Sequence, residues 1–193
     1  MSLRERTRAA VRAELAALAL EMFAERGFEE TTVDEVARAA GMSKRSLFRY
    51  FPTKEDMVLG SAEAMGEAVA AELRARPEGE APWESLRVVL CGWEERISSS
   101  AERLARLRLV EESPALHARW VQRREEARRE IAAVLRERAG AGAGAGLDAF
   151  SADLLTSAAG AALESATREW LRSNGQKSRP ELLTEAFTRL NPT

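Results

Sequence analysis

Apolar side chains recur every three to four positions along most of the chain, and no stretch alternates apolar with polar residues for long enough to read as a strand. The pattern predicts an all-α protein of about nine helices. Val11, Leu15, Leu18, Met22 and Phe23 fall on one face of a first helix, which Gly27 ends in the manner of a left-handed C-cap. Thr32 and Glu35 have the spacing of a capping box and open a short second helix that turns Val33, Val36, Ala37 and Ala40 inward before Gly41. Ser43 is placed to cap a third short helix, Lys44 to Tyr50, anchored by Leu47 and Phe51 and closed by Pro52. Thr53 and Asp56 repeat the capping-box spacing and start a long helix running to about Arg76.

Pro77 to Pro82 reads as a loop. The second half predicts helices at Trp83–Ser98, with Leu86, Val89, Leu90, Trp93 and Ile97 on one face, and at Glu102–Glu111. A long helix follows, capped by Ser113 with Pro114 at its first position, running past Trp120 to Ala139. Gly140 to Gly146 alternates Gly with Ala as a flexible connector, and helices at about Leu147–Arg172 and Pro180–Asn191 complete the set.

Composition narrows the chemistry. The chain has 193 residues, 45% hydrophobic and 31% charged, with one cysteine (Cys91) and one histidine (His117). A disulfide framework and a Cys/His metal cluster are excluded, no phosphate loop or nucleophile elbow is present, and neither a metal nor a cofactor is expected. Only carboxylates such as Glu94 or Glu164 are left for an enzyme, without a recognisable catalytic partner. Leu15 to Leu20, flanked by Glu14 and Glu21, is too short for a secretory segment or a membrane span, so the expected compartment is the cytoplasm, with no membrane partner.

Charge singles out one segment. The totals, 29 basic against 31 acidic side chains, exclude a basic coat over the whole molecule. Yet Arg38, Lys44, Arg45, Arg49 and Lys54 carry +5 with no acid from Val36 through Lys54, whereas residues 55–193 hold 19 basic and 23 acidic side chains, a net −4. Two short helices joined by Gly41-Met42-Ser43 have the spacing of a helix-turn-helix, whose second helix fits the major groove of DNA. A helical hairpin with solvated arginines, or an interaction module whose basic face takes acidic protein or RNA, has the same local pattern. Lys44, Arg45 and Ser46 sit at the end of the third helix that reaches base edges, and Arg45 is suited to a bidentate contact with guanine. Arg4, Arg6 and Arg8 read as preceding the first helix, either as an arm on the DNA or as a frayed terminus.

The string TTVDEVARAAGMSKRSLFRYFPTKEDMV resembles the DNA-binding domain of the TetR family of transcriptional regulators, nearly continuously over residues 8–60. Phe48 departs from the pattern, since many members have tyrosine there. The resemblance implies a DNA-binding domain over residues 1–52 and a ligand-binding and dimerisation domain over 53–193. It implies a homodimeric repressor, released from a palindromic double-stranded operator by a small effector. By the same resemblance Thr32, Tyr50 and Lys54 correspond to phosphate-contacting positions, and Ser43, Lys44, Arg45, Ser46 and Arg49 complete the DNA-facing set. For Tyr50 a half-buried place beside Phe51 is the alternative.

In this family the last two helices pair with their symmetry mates. Ser157-Ala158-Ala159-Gly160-Ala161-Ala162 supplies small side chains for close approach, and Leu155, Ala158, Ala162, Leu163, Trp170, Leu183 and Phe187 are candidate interface residues, although each fits the subunit's own core equally well. Effector binding is implied among the preceding helices, with Leu86, Leu90, Trp93, Leu107, Trp120 and Leu155 as candidate lining residues. Cys91 reads as a small buried hydrophobe and His117 as solvated. The stretches FRYFPTKEDMVLG, PWESLR and ESPALHARW resemble a subgroup containing mycofactocin-system regulators and acyl-CoA-responsive repressors. That resemblance implies an amphipathic acyl ligand, with Arg106, Arg108 or Arg124 at the mouth of its cavity.

Overall fold

In the computed structural model, residues 2–60, 62–96, 101–141 and 147–190 are described, with 62–65 and 139–141 as backbone only. They form ten helices and, among the described residues, no strand. α1 (Leu3–Arg26) begins at a complete capping box of Ser2 and Glu5, so Arg4, Arg6 and Arg8 lie inside the helix, not ahead of it as the apolar pattern predicts. Helix continues because residues 3–10 contain no glycine or proline, and apart from Thr7 they are Leu, Arg, Glu and Ala, all strong helix formers. α1 ends at Gly27, whose ψ of 149° is extended, where a left-handed helical value was expected. α2 (Val33–Ala39), α3 (Lys44–Phe48), α4 (Glu55–Leu59) and α5 (Ala62–Arg74) follow.

The expected single helix from Thr53 to Arg76 is two. Thr53 and Asp56 do exchange capping hydrogen bonds, the Thr53 N–H donating to Asp56 Oδ2 at 2.9 Å and the Asp56 N–H to Thr53 Oγ1 at 3.2 Å. Gly60 then takes φ 60° and ψ −142°, which no helix accommodates and which strongly favours glycine. A Cβ built there meets nothing nearer than Arg106 Nη1 at 3.9 Å, so a larger residue would be opposed by backbone strain alone. This break accounts for a tenth helix where nine were expected.

The remaining helices are α6 (Pro82–Arg96), α7 (Ala101–Glu112), α8 (Pro114–Ala141), α9 (Ala149–Arg172) and α10 (Arg179–Leu190). Ser113 caps α8 as expected, its Oγ accepting from the Leu116 N–H at 3.3 Å and donating to Glu29 at 3.0 Å. α8 extends two residues into the expected Gly-Ala connector, whose residues 142–146 lie outside the described ones, as does Ile97.

The chain divides into two compact units, residues 1–61 with 101–121, and 62–100 with 122–193. In the first, α1 packs on α2, α4 and α7. Leu15, Leu20 and Phe23 of α1 share a core with Phe28, Val36, Leu47, Phe51, Met57 and Val58, and Leu109, Val110 and Leu116 close it. Phe23 and Phe28 meet edge to face at 5.1 Å.

The second unit is built on Val69 and Leu73 of α5, Trp83, Leu86 and Leu90 of α6, Val134 and Leu135 of α8, Ala159, Ala162 and Ala166 of α9, and Leu183 and Phe187 of α10. Small residues on α9 let α10 lie close against it, and Trp83 packs on Phe187 with ring centres 4.9 Å apart. A buried ion pair lies here: Arg179 donates to Glu94 and, at 2.8 Å, to Thr167 Oγ1. Burial pushes the Glu94 carboxyl above its ordinary range, with Arg179 pulling against it. The α5–α6 loop is held by Glu80, which accepts from Arg76 Nε at 2.9 Å and from Ser85 Oγ at 2.6 Å, while Arg138 donates to Ser85 Oγ at 3.0 Å and to the Pro77 carbonyl at 2.9 Å. No helix among the described residues is long and apolar enough to cross a membrane.

The Glu80 contacts define a pH dependence. Arg76 first, then Ser85, hold its carboxyl down to about 2 from an ordinary 4.5. A depressed folded-state value means the carboxylate stabilises the fold above pH 4.5 and loses that contribution as the pH falls toward 2. Urea melts repeated across this interval should show Glu80→Gln losing less stability than the parent on acidification, because the variant has no proton to take up at that position.

Candidate nucleic-acid interface

The N-terminal unit presents α2 and α3 as a capped pair. α2 opens on Thr32, whose Oγ1 accepts from the Glu35 N–H at 3.3 Å and donates to Glu35 Oε2 at 2.7 Å, where the Thr32 N–H also donates. The Thr32 amide and then its hydroxyl hold the Glu35 carboxyl below its usual range. α2 closes with the Met42 N–H on the Ala37 carbonyl at 2.9 Å and the Gly41 N–H on the Arg38 carbonyl at 3.1 Å, a paired closure that needs Gly41 at φ 66°. Two residues later Ser43 caps α3, accepting from the Ser46 N–H at 3.2 Å with the two hydroxyls 2.9 Å apart.

α3 is five residues long, with Arg49 as a helical C-cap and Tyr50 in the following turn, shorter than the sequence pattern predicts. Leu47 and Phe51, 0% and 1% exposed, fix it to the core. Its outward side carries Lys44, Arg45 and Arg49, all exposed. Lys44 pairs with Asp34 Oδ2 at 2.7 Å, both side chains about half exposed (49% and 56%), an ion pair of roughly 0–1 kcal/mol that a phosphate could replace. Phe48 is 38% exposed on the same short helix.

Each remaining expected DNA-facing residue has a place in this unit. Thr32 and Ser43 lie at the helix starts as caps, Ser46 stands beside Ser43, and Tyr50 is half-buried against the core. Lys54 differs most from expectation. Its ammonium donates to the Phe28 carbonyl and lies 4.2 Å from the Phe28 ring centre and 5.7 Å from that of Phe23. The family resemblance implies a phosphate ligand for Lys54, and the sequence carries no signal of this inward bond, since nothing in it places Phe28 beside Lys54. Two supports of the site also have no sequence signal: Arg8 Nη2 donates to the Arg49 carbonyl at 3.0 Å, and Arg12 stacks over the Phe51 ring at 5.3 Å.

Of the expected effector residues, Leu86 and Leu90 are buried in the second unit, with Trp93 and Leu155 packed against the same cluster, whereas Leu107 and Trp120 belong to the first unit. A groove of about 380 Å³ lies between α8 and α9, lined by Arg129, Ala132, Arg136, Phe150 and Asp153, and includes none of the six. Among the residues expected at a dimer face, Ala162, Trp170, Leu183 and Phe187 are 0–2% exposed in the chain by itself, so they serve its own interior. Leu155, Ala158 and Leu163 are partly buried. Glu94 pairs with Arg179, and Glu164 with Arg124 at 3.2 Å and Arg168 at 2.8 Å. Cys91 is buried beside Thr184, burial pushing its thiol up, and His117 is exposed.

A capped, glycine-turned helix pair whose second helix presents exposed basic side chains, in an all-helical chain, defines a helix-turn-helix protein. Residues 15–60 match the family description "Bacterial regulatory proteins, tetR family", and residues 80–193 match "MftR C-terminal domain". The chain belongs to the TetR family. It is similar to the HTH-type transcriptional regulator TcmR of Streptomyces glaucescens, 36% identical over 146 residues covering 72% of this chain and 64% of TcmR. It is also similar to the HTH-type transcriptional repressor KstR2 of Mycobacterium tuberculosis, 51% identical over 47 residues, 24% of each chain. The chain thus spans less than two thirds of the length of these relatives. Among solved structures, Thermus thermophilus FadR, a TetR-family repressor in complex with lauroyl-CoA, is 25% identical, with a TM-score of 0.58 over 93% of this chain and 92% of that one.

The Lys54 geometry predicts a structural cost. Lys54→Ala removes a charged hydrogen bond and a cation over two rings, and should destabilise the protein by about 1–3 kcal/mol in the absence of DNA. Chemical denaturation measures it, and an unchanged midpoint would assign Lys54 no role in packing.

Proposed function

We propose that this protein is a ligand-responsive, sequence-specific DNA-binding repressor that works as a homodimer in the cytoplasm, with residues 1–52 carrying DNA binding and 53–193 carrying ligand binding and dimerisation. The observation that carries the reading is the exposed basic face of α3, held out by Leu47 and Phe51 and started by Ser43. Arg45 is the base reader, its planar guanidinium matching the two acceptors on the major-groove edge of guanine. Lys44 and Ser46 flank it. Thr32, Ser43, Arg49, Tyr50 and Lys54 hold phosphates and set register, Lys54 through the donors its ammonium keeps beyond the one given to Phe28. A two-fold dimer supplies a second α3 for the successive major groove, about 34 Å away, and hence favours a palindrome.

The effector reading is an acyl-CoA or a similar amphipathic molecule. Its support is the lauroyl-CoA bound to Thermus thermophilus FadR and the largely apolar interior of the second unit, around Leu86, Leu90, Trp93 and Leu155. Because ligand and operator act on one equilibrium, each must weaken the other by the same factor.

Selection from random duplexes should yield a palindrome, and sedimentation should give a dimer at micromolar concentration. Arg45→Ala should then cost about 1–3 kcal/mol at that site and relax preference at one base pair of each half-site. A monomer with no preferred palindrome would overturn the regulator reading. Titrating long-chain acyl-CoA onto the operator complex should release the protein, and retention at saturating ligand would remove the acyl-CoA reading alone.

A further inference from the structure

The first two turns of α1 have no packing role. Residues 2–10 are all exposed, and the first residue of α1 against the core is Val11. Eight helical residues, Leu3 to Ala10, therefore project about 12 Å beyond the core at 1.5 Å per residue. An exposed helical extension of this length is marginal in water by itself. Here it is started by the Ser2–Glu5 capping box and tied to the body by Arg8.

The positions of the arginines are informative. Arg4, Arg8 and Arg12 are spaced at i, i+4 and i+8, so they form one stripe along the helix. Arg12 at the inner end lies over Phe51, and Arg8 one turn out donates to the carbonyl of Arg49, the C-cap of α3. These two contacts set the direction of the stripe: it leaves the core at the C-terminal end of α3, with Arg4 outermost. Arg6 stands about 200° around the helix from Arg4, on the other side.

Neither Arg4 nor Arg6 has an acidic partner among the described residues, and the nearest acid in the chain, Glu5, is engaged in the cap. Like charges at i, i+4 cost an isolated helix about 0.2–0.5 kcal/mol per pair, so the stripe is unfavourable until a polyanion meets it. Through Arg8 it meets the backbone at Arg49, and Arg45 lies four residues earlier, in α3.

From this juxtaposition we infer that the first two turns of α1 form a second phosphate-binding element, in which Arg4 and Arg8 contact the DNA backbone beside the segment engaged by α3. The inference rests on the DNA-binding reading above and adds a contact outside residues 32–54. The contact is with phosphate, so it contributes affinity and salt dependence, not base preference.

Arg4→Gln and Arg6→Gln remove the same charge from the same helix on opposite sides, and neither side chain supports the core. Binding of each to a fluorescent random-sequence duplex is measured by anisotropy across a salt titration in KCl. Arg4→Gln should weaken binding and make the slope of log K against log salt shallower by about 0.9 for each phosphate the variant leaves unneutralised, whereas Arg6→Gln should keep the parental slope. Equal slopes for parent and Arg4→Gln, or equal weakening in both variants, would overturn the inference and leave the α3 reading standing. A parent with no affinity for any duplex would overturn both. Arg8→Gln should lower the slope as Arg4→Gln does, and should also speed amide exchange in residues 3–10, since it cuts the tether to Arg49.

Discussion

A helix of five residues cannot hold itself together in water, so what α3 presents to solvent depends on two buried side chains. Leu47 and Phe51 occupy a core made by α1, α2, α4 and the turns around Phe28, and their burial sets the height and tilt at which Lys44, Arg45 and Arg49 stand. The caps refine this placement. Ser43 satisfies an otherwise unpaired amide of the first turn, and the closure over Gly41 fixes the angle at which the chain re-enters helix. Hydrophobic burial provides the force, and the hydrogen bonds select one geometry. A rigidly placed α3 thus comes from a segment with almost no helical stability of its own.

Much of this is legible in the sequence because the devices are local. Capping boxes join residues three apart, glycine turns take two or three residues, and the anchoring apolar positions are four apart, so a single chain displays them without any knowledge of what packs where. The ends and breaks are less legible. Gly60 sits in a sequence whose apolar period continues on both sides of it, and a period cannot report a reversal of one φ angle. The start of α1 is hidden for a related reason: residues 3–10 have helix-forming side chains but no apolar face, and the pattern of burial is silent where nothing is buried.

Long-range partners are the least legible. Lys54 reads as a solvent-facing cation until Phe28, 26 positions earlier, is brought under it. Leu183 and Phe187 have the spacing of an interface and of a core alike, and only the arrangement of α6, α9 and α10 assigns them to the chain's own interior. The pairing of Glu94 with Arg179, 85 residues apart, likewise has no trace in the sequence.

The N-terminal unit is not a continuous piece of chain. Leu109, Val110 and Leu116 complete the core begun by Leu15, Leu20 and Phe23, and Ser113 bonds to Glu29 across 84 positions. During synthesis α1 to α4 emerge first, with their apolar faces only partly covered, and they stay so until α7 and the start of α8 have been made. Domains generally fold as units as the chain appears, but here the unit is finished late. α3 therefore gains its full support only once residue 116 has been made, and a nascent or truncated chain ending near residue 60 would present its basic face on a loosely packed support.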